Sequence, residues 1–277
     1  MPELPEVETI RRDLAPRIAG RRIVKAWVSP NAPKLVQGLT AASFVRRIAG
    51  RRIEELDRRG KYLLLRLDGP DGQAGLTWIV HLRMTGGLIH RLDGCGEGRF
   101  LRARLTLDDG SELCYEDVRK LGMMWLAADE SEVVGKLGPE PLDDAFGPDE
   151  LRAALAKRSA PVKAVLLDQS ALAGVGNIYA DEALFEAGVR PTKPANRLSR
   201  PAVERLHRAV RSVLTEALGD RGSSFRDYVD ARGEQGMHQL RVKVFRRTGE
   251  PCYVCGSAIR RMKVGGRSTH YCPRCQR

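Results

Sequence analysis

Between residues 5 and 18 the apolar side chains Val7, Ile10, Leu14 and Ile18 recur at helical spacing, with Arg11, Arg12 and Asp13 between them. The pattern predicts an amphipathic helix closed by Gly20. From residue 22 to residue 128 it changes to short extended runs: IVKAWV, FVRRI, KYLLLRL, LTWIVHL, RARLTL, ELCYEDV and GMMWLA. Turn sequences such as DGPDG and LDDG separate them, which predicts an antiparallel sandwich or flattened barrel. The heptapeptide RIAGRRI occurs twice, at Arg17–Ile23 and Arg47–Ile53. Two copies are too few for a repeat architecture, and each reads as a glycine turn into a strand.

The Pro/Gly/acid-rich connector LGPEPLDDAFGP marks a domain boundary. Beyond it the periodicity is helical, in PDELRAALAKR, PVKAVLLDQ, IYADEALFEAG and RPAVERLHRAVRSVLTEAL, the last preceded by Ser199 as its cap. Residues 219–241 are polar and glycine-punctuated, and predict a functional or disordered loop. The whole reads as an α+β chain with a first domain at 2–130, a linker at 131–148, a helical domain at 149–241 and a cysteine-bearing end at 243–277.

Charge narrows the class of partner. The net charge is +12, and residues 243–277 carry nine Lys/Arg against one acid. That concentration favours a polyanion, while an aromatic content of 5% argues against single-strand binding by base stacking. No stretch is long and apolar enough to span a membrane, and the first residues lack a signal-peptide core, so a soluble intracellular protein is expected. Cys95 and Cys114 stand apart from the other cysteines and are expected to be buried or incidental free thiols. The remaining four form Cys252-x2-Cys255-x16-Cys272-x2-Cys275. Two CxxC pairs supply four soft sulfurs, the donor set of one structural Zn²⁺. The intervening RRMKVGG reads as a basic hairpin, with Arg267 near its tip.

Other candidate chemistry is less specific when taken singly. The opening MPELPEVETI places proline and acids where a helix start favours both. AGVGNIYADE puts Gly174 and Gly176 before a helix, which suits either an anion site or a tight turn without a ligand, and Asn177 adds a side-chain donor. RRGKYLLL places Lys61 at the start of an apolar strand, HLRMTGG places His81, Arg83 and Met84 before a glycine pair, and DVRKLGMMW offers Arg119 and Lys120. Nucleophilic-serine, Walker and HExxH motifs are absent from the sequence.

Taken in order, MPELPEVET, RRGKYLLL, HLRMTG, LGPEPL, GVGNIYADE and the terminal CxxC…YCPRCQ resemble the bacterial formamidopyrimidine-DNA glycosylase family along residues 2–277. The resemblance implies a helix plus antiparallel β-sandwich, then a helix-two-turn-helix domain with a four-cysteine zinc-finger hairpin. It also implies a bifunctional DNA glycosylase and AP lyase of base excision repair, acting on oxidised purines such as 8-oxoguanine and formamidopyrimidines. The expected partner is double-stranded DNA carrying oxidised bases or abasic sites, and the expected setting is a cytoplasmic, nucleoid-associated bacterial monomer. Pro2, exposed once Met1 is removed, matches the Schiff-base nucleophile, and Glu3 the acid that opens the sugar ring. Lys61 matches the phosphate-contacting lysine assigned as proton donor in β-elimination, and Arg267 the phosphate-binding finger arginine assigned to δ-elimination. His81, Asn177 and Arg158 match DNA contacts. Met84 and Arg119 match side chains that fill the void left by the extruded base. Leu121 stands where the third void-filling residue is usually phenylalanine, and Arg83 where glycine is frequent. Residues 219–241 match the lesion-capping loop. The sister endonuclease VIII, which prefers oxidised pyrimidines, usually begins PEGPE. Leu4 in PELPEVE therefore favours the purine enzyme. A non-catalytic lesion-binding protein would not need Pro2, Glu3 and Lys61 together, and a generic zinc-ribbon protein accounts only for the C-terminus.

Overall fold

The structure, a computed structural model, describes residues 2–69 and 74–277. Met1 and most of the DGPDG turn lie outside the described residues. The chain forms two compact units, one running to Gly135 and taking in Arg221–Met237, the other made of Lys136–Asp220 and His238–Arg277.

In the first unit, helix α1 (Leu4–Ile18) fully buries Leu4, Val7, Ile10, Leu14 and Ile18. Each such side chain contributes roughly 2 kcal/mol of burial, so the helical periodicity also fixes the face that packs. Two four-stranded antiparallel sheets enclose the core with it. One has the order β1-β6-β7-β5, from β1 (Ile23–Val28), β6 (Leu101–Leu107), β7 (Glu112–Asp117) and β5 (Gly86–Arg91). The other has the order β2-β3-β4-β8, from β2 (Ile53–Arg59), β3 (Tyr62–Leu67), β4 (Leu76–His81) and β8 (Met123–Ala127).

The two RIAGRRI copies pair with each other. Gly20 N–H donates to the Ile53 carbonyl and Gly50 N–H to that of Ile23, both at 2.7 Å. Ile23 N–H donates to Arg51 O and Ile53 N–H to Arg21 O, both at 2.8 Å. A local two-fold relation thus ties β1 of one sheet to β2 of the other.

Some expectations need correction. FVRRI is helical, within α2 (Ala41–Ile48), where Phe44 and Ile48 share a buried face and the Thr40 hydroxyl accepts the Ser43 N–H. Strands β2 and β5 are absent from the predicted runs because charged or glycine positions interrupt their alternation. Cys95 and Cys114 are joined in a disulfide with Cα atoms 5.5 Å apart, because the segment between β5 and β6 folds Cys95 back against β7 beside Leu101. Arg221–Met237 is ordered without regular secondary structure. Tyr228 and Ala231 enter the core, and the Arg221 guanidinium pairs with Asp13 and Asp230.

The second unit holds α4 (Pro148–Ala156), α5 (Val162–Leu167), α6 (Asn177–Glu186) and α7 (Arg200–Gly219), after a short α3 (Ser131–Val134) that closes the first. A hairpin of β9 (Arg260–Val264) and β10 (Arg267–Tyr271) completes it. Gly265 and Gly266 have φ of 54° and 75°, the left-handed pair that a two-residue hairpin turn requires. Helix α6 is buried on nearly every side, including Asp181 and Glu182.

Candidate active site and nucleic-acid interface

At the head of α1 Pro2 is buried and Glu3, the N-cap residue, is 1% exposed. The Glu6 carboxylate works in two directions. One oxygen accepts the Glu3 N–H at 2.7 Å, and the other accepts the Ser223 N–H of the 221–237 segment, also at 2.7 Å. Gly222 has φ of 83°, and a Cβ there would lie 2.8 Å from Glu6, so the segment passes close because that residue is glycine. The Tyr228 hydroxyl donates to the Arg221 carbonyl at 3.2 Å and closes the same turn.

Glu8, one turn later, binds Arg11 and Arg12 on its own helix and Arg58 of β2 at 3.1 Å. Burial alone would raise its pKa, but hydrogen bonds and charge from these arginines overcome that and hold it down at about 2. Arg58 also donates to the Gly60 carbonyl at 2.9 Å. The relay from α1 through Glu8 and Arg58 ends at the residue before Lys61, itself 6% exposed.

His81 closes β4, its ring edge-on to Tyr62 with centroids 4.6 Å apart. Its Nδ1 accepts the Arg83 N–H at 3.0 Å, which puts the ring proton on Nε2. Burial, followed by the positive charges of Arg83 and Lys61, pushes it down to about 3, so the ring is a neutral donor. Met84 follows in the corner between β4 and β5, and Arg119 and Leu121 lie in the corner between β7 and β8. Arg119 and Leu121 are exposed, Leu121 by 42%. Arg83 and Lys120 have φ of 55° and 56°, each in the left-handed region within its corner. That conformation gives a backbone reason why glycine suits position 83.

In the second unit the AGVGN turn is buried and braced by Gln169. Its Nε2 donates to Val175 O at 2.9 Å, and its Oε1 accepts the Gly174 N–H at 2.9 Å. Asn177, the first residue of α6, donates through Nδ2 to the Ser268 carbonyl at 3.0 Å. The fully buried Lys163 donates to the same carbonyl at 2.9 Å and pairs with Asp181 at 2.6 Å, while Asp181 also accepts the His270 N–H. Three groups on α5 and α6 therefore fix the strand that begins with the exposed Arg267. The Glu182 carboxylate accepts the N–H groups of Lys243, Val244 and Phe245, yet burial outweighs these donors and raises its pKa. Arg158 is held by Asp168 and by the Ser170 hydroxyl, so its guanidinium already has a carboxylate partner.

The sulfurs of Cys252, Cys255, Cys272 and Cys275 lie within 4.8 Å of one another, with 3.9 Å between Cys252 and Cys275 and 3.4 Å between Cys255 and Cys272. A tetrahedral zinc with bonds of about 2.3 Å needs sulfurs roughly 3.8 Å apart, so the four thiolates fit one structural Zn²⁺.

Three sequence-family profiles match the chain: the formamidopyrimidine-DNA glycosylase N-terminal domain over residues 1–124, the formamidopyrimidine-DNA glycosylase H2TH domain over 137–228, and the zinc finger found in FPG and IleRS over 249–277. The formamidopyrimidine-DNA glycosylase of Heliobacterium modesticaldum is 48% identical, and that of Carboxydothermus hydrogenoformans 44%, each over the full length of both chains. The chain belongs to the formamidopyrimidine-DNA glycosylase family. The crystal structure of the MutM (Fpg) protein of Thermus thermophilus superposes with a TM-score of 0.87 at 41% identity, covering 99% of this chain and 98% of that one. Lactococcus lactis Fpg in complex with DNA containing an abasic site gives 0.89 at 35%, covering 99% of each chain.

As a formamidopyrimidine-DNA glycosylase family member, the chain has the expected architecture of sandwich, H2TH helices and zinc-finger hairpin. In the first unit the structure brings Pro2 and Glu3 to the head of α1, while the relay through Glu8 and Arg58 ends beside Lys61. In the second it ties Asn177 to the residue after Arg267. The supporting residues escaped the sequence reading. Glu6 carried a signal, since an acid three residues past a helix cap can bond back to it. The Arg58, Gln169 and Lys163 contacts had none, because their partners are set by packing.

Proposed function

We propose that the chain excises oxidised purines from duplex DNA and then cleaves the strand, with Pro2 as nucleophile once Met1 is removed. A terminal secondary amine has a lower pKa than lysine, so more of it is unprotonated near neutrality. Pro2 attacks C1′, the C1′–base bond breaks, and Glu3 protonates the sugar oxygen as the ring opens to an iminium. That cation accepts electrons as the Glu3 carboxylate, ionised by the ring opening, takes a proton from C2′ and the C3′–O bond breaks, with Lys61 as proton donor to the departing 3′-phosphate. Arg267 serves the second elimination, which expels the 5′-phosphate. His81 and Asn177 contact phosphate, as does Arg158 where Asp168 releases it. Met84, Arg119 and Leu121 fill the space of the extruded base. Zn²⁺ held by the four cysteines supports the hairpin that presents Arg267 and takes no part in the chemistry.

The observation that carries this reading is the buried Pro2–Glu3 pair at the head of α1, held by the Glu6 carboxylate that also holds the 221–237 segment. The test is borohydride reduction during turnover of duplexes with 8-oxoguanine or thymine glycol. A covalent protein–DNA adduct at Pro2, formed faster with 8-oxoguanine, is expected. Glu3→Gln should slow base release by roughly a hundredfold or more, the range of a lost general acid. No adduct with either lesion would overturn the catalytic reading. Faster trapping on thymine glycol would move the substrate to oxidised pyrimidines.

A further inference from the structure

The two corners carrying Met84 and Arg119/Leu121 are neighbours by strand register. Residues 82–85 lead from β4 to β5, and residues 118–122 from β7 to β8, so both corners cross from one sheet to the other. Pairing of His81 with Met123 and of Gly86 with Asp117 sets them side by side.

Asp117, 1% exposed at the end of β7, sits between them. Its Oδ2 accepts the N–H groups of Leu121 and Gly122, each at 2.8 Å. Its Oδ1 accepts the Arg119 N–H at 3.0 Å and the Thr85 hydroxyl of the other corner. Thr85 Oγ1 in turn accepts the Arg119 N–H at 3.2 Å. The adjoining Tyr115 packs its hydroxyl against both corner glycines, since a Cβ would lie 2.4 Å from it at Gly86 and 1.5 Å at Gly122. An acceptor-only group is required here, because four donors converge on one carboxylate.

From this geometry we propose that Asp117 and Thr85 are positioning residues that lock the two corners into one wedge. The proposal rests on the void-filling reading of Met84, Arg119 and Leu121. Neither positioning residue touches the reacting atoms. They act by making the three side chains enter the helix together, with the left-handed backbone at Arg83 and Lys120 already set.

The test separates wedge from chemistry. Thr85→Val removes the link between corners while leaving the Asp117 bonds to Leu121 and Gly122, and Thr85→Ser keeps it. Single-turnover release of 8-oxoguanine from a duplex is compared with cleavage of an abasic site in a single strand, where no duplex void exists. A 2-aminopurine beside the lesion reports opening of the base stack. For Thr85→Val, duplex release and the fluorescence rise should both slow about tenfold, the equivalent of about 1.4 kcal/mol, with single-strand cleavage within about twofold of wild type. Thr85→Ser should restore the duplex rate, and Asp117→Asn should be slower on duplex than Thr85→Val. A wild-type duplex rate for Thr85→Val overturns the proposal, as does an equal loss on both substrates. Met84→Ala and Leu121→Ala identify which reading has failed. If both match wild type on duplex, void filling falls. If they are slow and Thr85→Val is not, only the coupling falls.

Discussion

His81 shows how burial sets the charge state of a hydrogen-bond donor. A surface histidine gains a proton near neutrality, but this ring is held neutral down to about 3 by burial and by the charges of Arg83 and Lys61. It therefore donates from Nε2 without taking up a proton. His81→Ala should weaken DNA binding by a constant factor of roughly ten- to a hundredfold between pH 5.5 and 8, the worth of one hydrogen bond to a charged group. Parallel wild-type and variant curves across that range, measured by fluorescence anisotropy, are the expected result. The stability sign follows from the depressed value: the contribution is full above about 6.5 and is lost as pH falls toward 3. Sequence made His81 visible through its motif, but not its charge state. That state depends on Tyr62, Arg83 and Lys61 closing round the ring.

At the level of elements, the paired RIAGRRI copies make a prediction that neither copy makes alone. Gly20 and Gly50 have φ of 80° and 84°, and neither has an atom within 4 Å of a Cβ built there. An alanine at either position meets no clash and costs only the left-handed backbone, roughly 1–2 kcal/mol. The two substitutions should lower the urea midpoint by similar amounts with the slope unchanged. Unequal losses would show that the two turns are not equivalent. The heptapeptide was legible as two glycine turns, and their mutual pairing was not, because strand partners thirty residues apart leave no local mark. FVRRI misled for the opposite reason. Five residues with apolar positions at both ends suit either period, and Thr40 as cap, with Phe44 and Ile48 on one face, settles the helix.

Across the whole molecule, composition marked a connector at 137–148, but nothing in it marked the return of Arg221–Met237 to the first unit. Only Tyr228 and Ala231 of that segment enter the core, too few to set a period. Its other anchors include ion pairs and backbone bonds to Asp13 and Glu6 and the His90 N–H donated to the Ala231 carbonyl. The metal site was the most legible part, because four cysteines at fixed spacing specify their own chemistry. Cys95 and Cys114 lacked such spacing, and their bond changes what a cut chain looks like. Arg99 is exposed within the loop they close. Trypsin acting there should leave a protein that runs as one band without thiol and separates into two fragments, of roughly one third and two thirds of the chain, once dithiothreitol is added. The backbone can thus be severed in the middle of the sandwich while the piece bearing Pro2 stays covalently fastened to the piece bearing Arg119.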